Sequence, residues 1–125
     1  MNAISRREAR RAAVFILFQS DVTGRPLGSL YDGDVDPYTE RIAQAVSSRA
    51  EELDARITHA ANDWTADRFG AVERNVLRVA LEELDEGEVP VEVILDEAVT
   101  LAKRYASEDA AKLVNGILGR IVRER

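Results

Sequence analysis

The chain is 125 residues long, the length of one domain, and carries 17 basic against 23 acidic side chains for a formal net charge of −6. With no cysteine and one histidine it has no disulfide framework, thiolate metal site or cysteine nucleophile, and an ordinary zinc site has too few ligands. No apolar run approaches the roughly 18 residues of a membrane span and no cleavage site follows the short apolar stretch near the start, so a cytoplasmic protein is expected, with indiscriminate nucleic-acid binding disfavoured but a local basic patch left open.

In chain order almost every segment reads as helix. Ser5 and Glu8 form an S-x-x-E capping box that starts a first helix at Arg6, running to about Ser20. Gly24, Pro26, Gly28 and Gly33 mark the following stretch as a loop. Asp36 then caps a second helix with Pro37 at its first position. Ile42, Val46, Leu53, Ile57 and Trp64 fall near one face, which predicts one long amphipathic helix to about Asn62. A short helical turn is expected over 65–69, ending at Gly70, the natural seam between halves 1–70 and 71–125. Val76, Leu77, Ala80, Leu81 and Leu84 form the stripe of the next helix, which ends before Gly87. Pro90 opens another, with Ile94, Ala98, Leu101, Ala102 and Tyr105 as its buried face. Ser107 caps the last helix, where Ala110, Leu113, Val114, Ile117, Leu118 and Ile121 repeat with a period of about 3.6. No segment alternates with period two, so the fold class is all-α.

The first helix poses a question. Its opening, SRREARRAAVFILFQ, places Arg6, Arg7, Arg10 and Arg11 where the helix dipole disfavours cations. On a helical wheel the four fit an arc of about 140° and span about 7.5 Å along the axis. Beyond them the helix is apolar on every side. One reading is a solvated cap whose arginines pair with acids elsewhere. The other is a binding face, favoured because arginine supplies all four positions, as forked recognition of phosphate or base edges prefers. From Glu82 to Glu97 the chain carries eight acids and no lysine or arginine, most simply a solubilising surface.

Catalytic constellations are missing. His59 has no serine nucleophile arranged for it, and no P-loop, dinucleotide fingerprint or metal-carboxylate spacing occurs. Gly116 and Gly119 have G-x-x-G spacing but lie inside a periodic helix, where close helix packing is the simpler explanation. The residues point to a binding protein that is not an enzyme and needs no cofactor.

Residues 73–121, ERNVLRVALEELDEGEVPVEVILDEAVTLAKRYASEDAAKLVNGILGRI, resemble the family of the transcription antitermination factor NusB. The family's E-R-x-x-L-R-x-A-x-x-E-L helix, its V-P helix start with D-E-A-V-x-L-A-K, and its E-D-x-x-K-F-V-N-G-V-L block occur in order at matching spacing. An arginine-rich first helix stands where the family has its own. The resemblance implies a compact bundle of about six to seven helices in two small sub-bundles, and no catalysed reaction. It also implies binding of boxA-type single-stranded RNA in nascent ribosomal RNA transcripts, together with the ribosomal protein NusE, within an RNA polymerase antitermination complex. Carried over residue by residue, Arg6, Arg7, Arg10, Arg11, Phe18, Lys112, Leu113 and Asn115 are the RNA-binding candidates. Phe18 keeps a ring where relatives have Tyr, and Leu113 stands where they often have Phe. Glu73, Arg74 and Asp109 match positions implicated in NusE binding. Two rival readings are a helical accessory module like the one preceding some ribosomal-RNA methyltransferase domains, and a structural interaction module whose arginines are engaged in salt bridges or in self-association, as a homodimer through the first helix. The lack of a methyltransferase domain after Arg125 favours the stand-alone factor.

Overall fold

The Ser5 hydroxyl accepts a hydrogen bond from the Glu8 backbone N–H at 3.1 Å and starts α1 (Arg6–Thr23), as its spacing predicts. The structure, a computed structural model, describes residues 4–61 and 69–125. α1 runs one turn beyond the sequence expectation because its stop is Gly24, which adopts φ 74° and returns its N–H to the Ser20 carbonyl. That left-handed conformation is open to glycine without a Cβ penalty. A short 3-10 turn (Leu27–Ser29) leads to α2 (Pro37–Ser48), capped by the Asp36 carboxylate on the Tyr38 N–H at 2.9 Å.

The long second helix expected from the periodicity is two helices. α2 ends at Arg49, whose φ of −115° and ψ of 14° break the helical path, and α3 (Ala50–Ala60) follows. The break is held by the Arg49 side chain, which reaches Glu52, Glu82 and Asp85 at 2.6–3.0 Å. Trp64 and most of the helical turn expected over 65–69 lie outside the described residues. α4 (Ala71–Glu86), α5 (Val91–Tyr105) and α6 (Glu108–Glu124) complete the fold, with Ser107 capping α6 through the Ala110 N–H at 2.9 Å. Gly70 precedes α4, and its N–H donates to Glu73 Oε2 at 2.9 Å, so the Glu73 carboxylate caps the helix start.

α4 is the axis of the molecule. It packs against α1, α2, α3, α5 and α6, and Val76, Leu77, Val79, Ala80, Leu81 and Leu84 are all buried on it. The core is continuous from α1 to α6 through these residues. α1 pairs with α2 on one flank, and α5 pairs with α6 on the other.

The acidic stretch is not only a surface. Glu82, Glu83 and Glu97 are buried, and each receives an arginine from another element: Arg49 on Glu82, Arg10 on Glu83, Arg7 and Arg11 on Glu97. Arg41 reaches Glu86, and Arg49 and Arg56 share Asp85. Toward its N-terminal half α4 carries arginines instead, with Arg78 on Asp54 and Arg74 on Asp21. Both polarities oppose the helix dipole; in each case a charge from a neighbouring helix offsets it. Among the described residues no buried side-chain nitrogen or oxygen lacks a hydrogen-bond partner.

Candidate nucleic-acid interface

The four arginines of α1 separate in the fold. Arg10 turns inward, 4% exposed, and donates through Nε to Glu83 Oε1 at 2.5 Å. The Tyr38 hydroxyl donates to the other oxygen of the same carboxylate. Burial pulls the Arg10 pKa down, but the hydrogen bond and charge of Glu83 more than restore it. Burial and Glu83 together push the Tyr38 phenol well above its ordinary range. The sequence expectation that Arg10 projects from the helix with its neighbours is therefore corrected: position 10 faces the α1–α4 contact, and a guanidinium there is satisfied by the buried carboxylate opposite.

Arg6, Arg7 and Arg11 stay nearer solvent. Arg6 lies over the Tyr38 ring, its Cζ 4.6 Å from the centroid, with Arg41 Cζ 4.9 Å from the same ring. Arg7, its side chain 67% exposed, and Arg11, partly exposed, both reach α5, where Glu97 Oε2 lies 3.3 Å from Arg7 Nε and Glu97 Oε1 lies 2.9 Å from Arg11 Nε. One turn further along α1, Phe15 meets Tyr105 at the end of α5 edge to face, with centroids 4.8 Å apart. Tyr105 is 40% exposed rather than part of a buried stripe, and Arg104 lies over its ring. The sequence reading passed over Phe15 and Tyr105 as core residues. The available signal is the position of Tyr105 in the last turn of α5, beside Lys103 and Arg104.

Arg7 also lines an open cleft of about 850 Å³ between α5 and α6, whose rim carries Thr100, Lys103, Lys112 and Asn115 together with the acids Glu92, Asp96 and Glu108. Three of the expected RNA-binding residues, Arg7, Lys112 and Asn115, are thus brought together although Arg7 lies more than a hundred residues from the other two. Lys112 stands on a ridge, for it also lines a second open cleft of about 720 Å³ at the junction of α3, α4 and α6. That cleft gathers Glu73, Asp109 and Leu113, with Gly116 at its edge. A Cβ at Gly116 would meet nothing within 4 Å, so close helix packing does not explain this glycine. Arg74 lies apart from both clefts, tied to Asp21 at the far end of α1 through Nη2 and Nε at 2.9 and 3.0 Å. Phe18 is half-buried on the same helical face as Arg7 and Arg11. Among the described residues no group of three acidic, histidine or cysteine side chains is placed to hold a metal ion, and no helix is long and apolar enough to cross a membrane.

A family model described as the NusB family matches residues 7–123 of the chain. The chain belongs to the NusB family. It is 43% identical over 122 residues to the transcription antitermination protein NusB of Rubrobacter xylanophilus, covering 92% of this chain and 88% of that protein. Its identity to the protein of the same name from Exiguobacterium sp. is 39% over 127 residues, covering 97% and 99%. Among solved structures it resembles T. maritima NusB, with a TM-score of 0.87 at 34% identity, covering 99% of this chain and 94% of that one. A crystal structure of the antitermination factors NusB and NusE with double-stranded RNA matches with a TM-score of 0.85 at 30% identity, covering 96% and 97%. The chain is accordingly an all-α NusB-type antitermination factor and not an enzyme.

Proposed function

We propose that the protein binds boxA-type RNA of nascent ribosomal RNA transcripts on the face formed by the start of α1 and the α5–α6 cleft, with NusE on the neighbouring cleft. In this role it joins an RNA polymerase antitermination complex and suppresses premature termination. The observation that carries the reading is the convergence of Arg7, Lys112 and Asn115 on one open cleft, two cations and an amide suited to phosphate and base edges. Arg6 extends the cationic rim over Tyr38, and the exposed Tyr105 ring beside Phe15 offers a base a stacking surface. The relative solved with NusE and RNA supports the choice of partners. Glu73 and Asp109, across the Lys112 ridge, offer a basic ribosomal protein the opposite charge.

The test is a titration of fluorescent boxA-type RNA, single-stranded and duplex, with the wild type and with Arg7→Ala plus Lys112→Ala, each with and without NusE. Tight binding that NusE enhances and the double variant loses supports the assignment. A folded protein that binds NusE while neither form touches RNA makes this face a protein interface instead.

A further inference from the structure

Two guanidinium groups one helical turn apart repel each other, yet Arg7 and Arg11 are drawn to one point. The agent is Glu97, whose side chain is 3% exposed and whose two carboxylate oxygens are divided between them, Oε2 toward Arg7 and Oε1 toward Arg11. Both arginines approach through Nε, and neither guanidinium has a second protein acceptor among the described residues. The outer nitrogens of each are therefore left for a ligand, and the cluster of two cations and one anion keeps a net positive charge.

We propose that Glu97 is a positioning residue for RNA: it holds Arg7 and Arg11 as a ready-made fork for a backbone phosphate, and it touches no RNA itself. This deepens the RNA-binding reading above and rests on it. A flexible arginine loses side-chain entropy when it clamps a phosphate, and a partner that has already fixed the guanidinium removes part of that cost from the binding step. The fixed Nε contact also aims the planar outer edge, the edge that matches two phosphate oxygens. A buried carboxylate beside the cleft is otherwise a liability, since its charge repels the phosphate it helps to bind. The two effects give opposite signs when the charge is removed, and that makes the idea testable.

The experiment measures boxA-type RNA affinity, in the presence of NusE, for the wild type, Glu97→Gln and Glu97→Asp, with thermal melting of each protein alongside. Glu97→Gln is near-isosteric and deletes one negative charge; by long-range electrostatics alone it tightens binding. Positioning predicts roughly tenfold weaker binding, with Glu97→Asp between the two because it keeps the charge on a shorter arm. Affinity equal to or tighter than the wild type in folded Glu97→Gln overturns the proposal. Should that variant fail to fold, the wild type answers alone through the ¹⁵N-arginine Nε–H signals. Slow exchange of the Arg11 Nε proton in the free protein, retained when RNA is added, supports a prepositioned fork. Fast exchange, or loss of the pairing on binding, overturns it. A wild type that binds no RNA removes the functional reading itself, and the positioning role with it; that result is read before any variant enters.

Discussion

Arg7 and Arg10 sit three residues apart on α1, and the fold gives them opposite duties. Arg10 neutralises a buried carboxylate, and without it Glu83 keeps only the Tyr38 hydroxyl in an apolar setting. Breaking a buried ion pair from one side costs about 3–5 kcal/mol. Arg10→Ala is therefore expected to lower the urea midpoint sharply, and any loss of RNA binding should track the unfolded fraction. Arg7→Ala removes a largely exposed side chain, so stability should change by less than about 1 kcal/mol. Its RNA affinity should nonetheless fall by about 1.5–3 kcal/mol, the worth of a charge-assisted hydrogen bond. Urea denaturation and RNA titration on the same two variants separate the roles; equal stability losses would contradict the division. The arginines are tolerated against the dipole of α1 because Glu83 answers Arg10 from inside and Glu97 answers Arg7 and Arg11, whose outer edges face solvent.

At the scale of the element, the helix starts were legible because a cap is local: Ser5, Asp36 and Ser107 bond to N–H groups two or three residues on. The division between α2 and α3 was not. Val46 and Leu53 are seven residues apart, so the apolar stripe runs through the break without a fault, and the groups that fix Arg49 include Glu82 and Asp85, more than thirty residues distant. For the same reason the acids after Glu82 read as surface, because no local pattern says which acid meets which arginine. The candidate site divides likewise: the arginine face was visible as a run, whereas its meeting with Lys112 and Asn115 depends on how α6 packs beside α5.

The charged seam around α4 carries a pH signature. Burial raises the Asp85 pKa, but hydrogen bonds from Arg56 and Arg49 outweigh it, and the group ends below the ordinary aspartate value of 3.8. A carboxyl that is more acidic when folded adds stability above its unfolded pKa, and that contribution disappears as pH falls through the folded value. Glu82 has the opposite sign: burial and its hydrogen bond with Glu86 raise it above 4.5, so it detracts from stability as pH climbs through that window. Asp85→Asn should thus flatten the decline in stability below pH 3.8 while leaving the Glu82 contribution in place. Urea midpoints taken from pH 7 downward on both proteins check this; parallel curves would mean that the Arg49–Asp85–Arg56 bridge contributes nothing in solution.

Across the whole molecule, a net charge of −6 coexists with a cationic corner, because among the described residues most of the arginines outside that corner are engaged by carboxylates. This changes the expected salt dependence of RNA binding. Four free arginines on four phosphates of a single strand give a slope of log K against log salt near −3. The fold withdraws Arg10 to Glu83 and gathers Arg7 and Arg11 on Glu97 as one fork for one phosphate, which leaves that fork, Arg6 and Lys112 as three cationic contacts. Three phosphate contacts at about −0.7 each give a slope near −2. Anisotropy titrations from about 50 to 300 mM salt resolve the two values, since the difference is nearly one full cation. A slope of −3 or steeper would show that Arg10 leaves Glu83, or that Arg7 and Arg11 part from Glu97 to meet separate phosphates, which requires the start of α1 to rearrange on binding. In Arg7→Ala the slope should fall to about −1.4, one contact fewer. A slope unchanged by that substitution would place the RNA phosphates away from the α5–α6 cleft and return Arg7 to Glu97 alone.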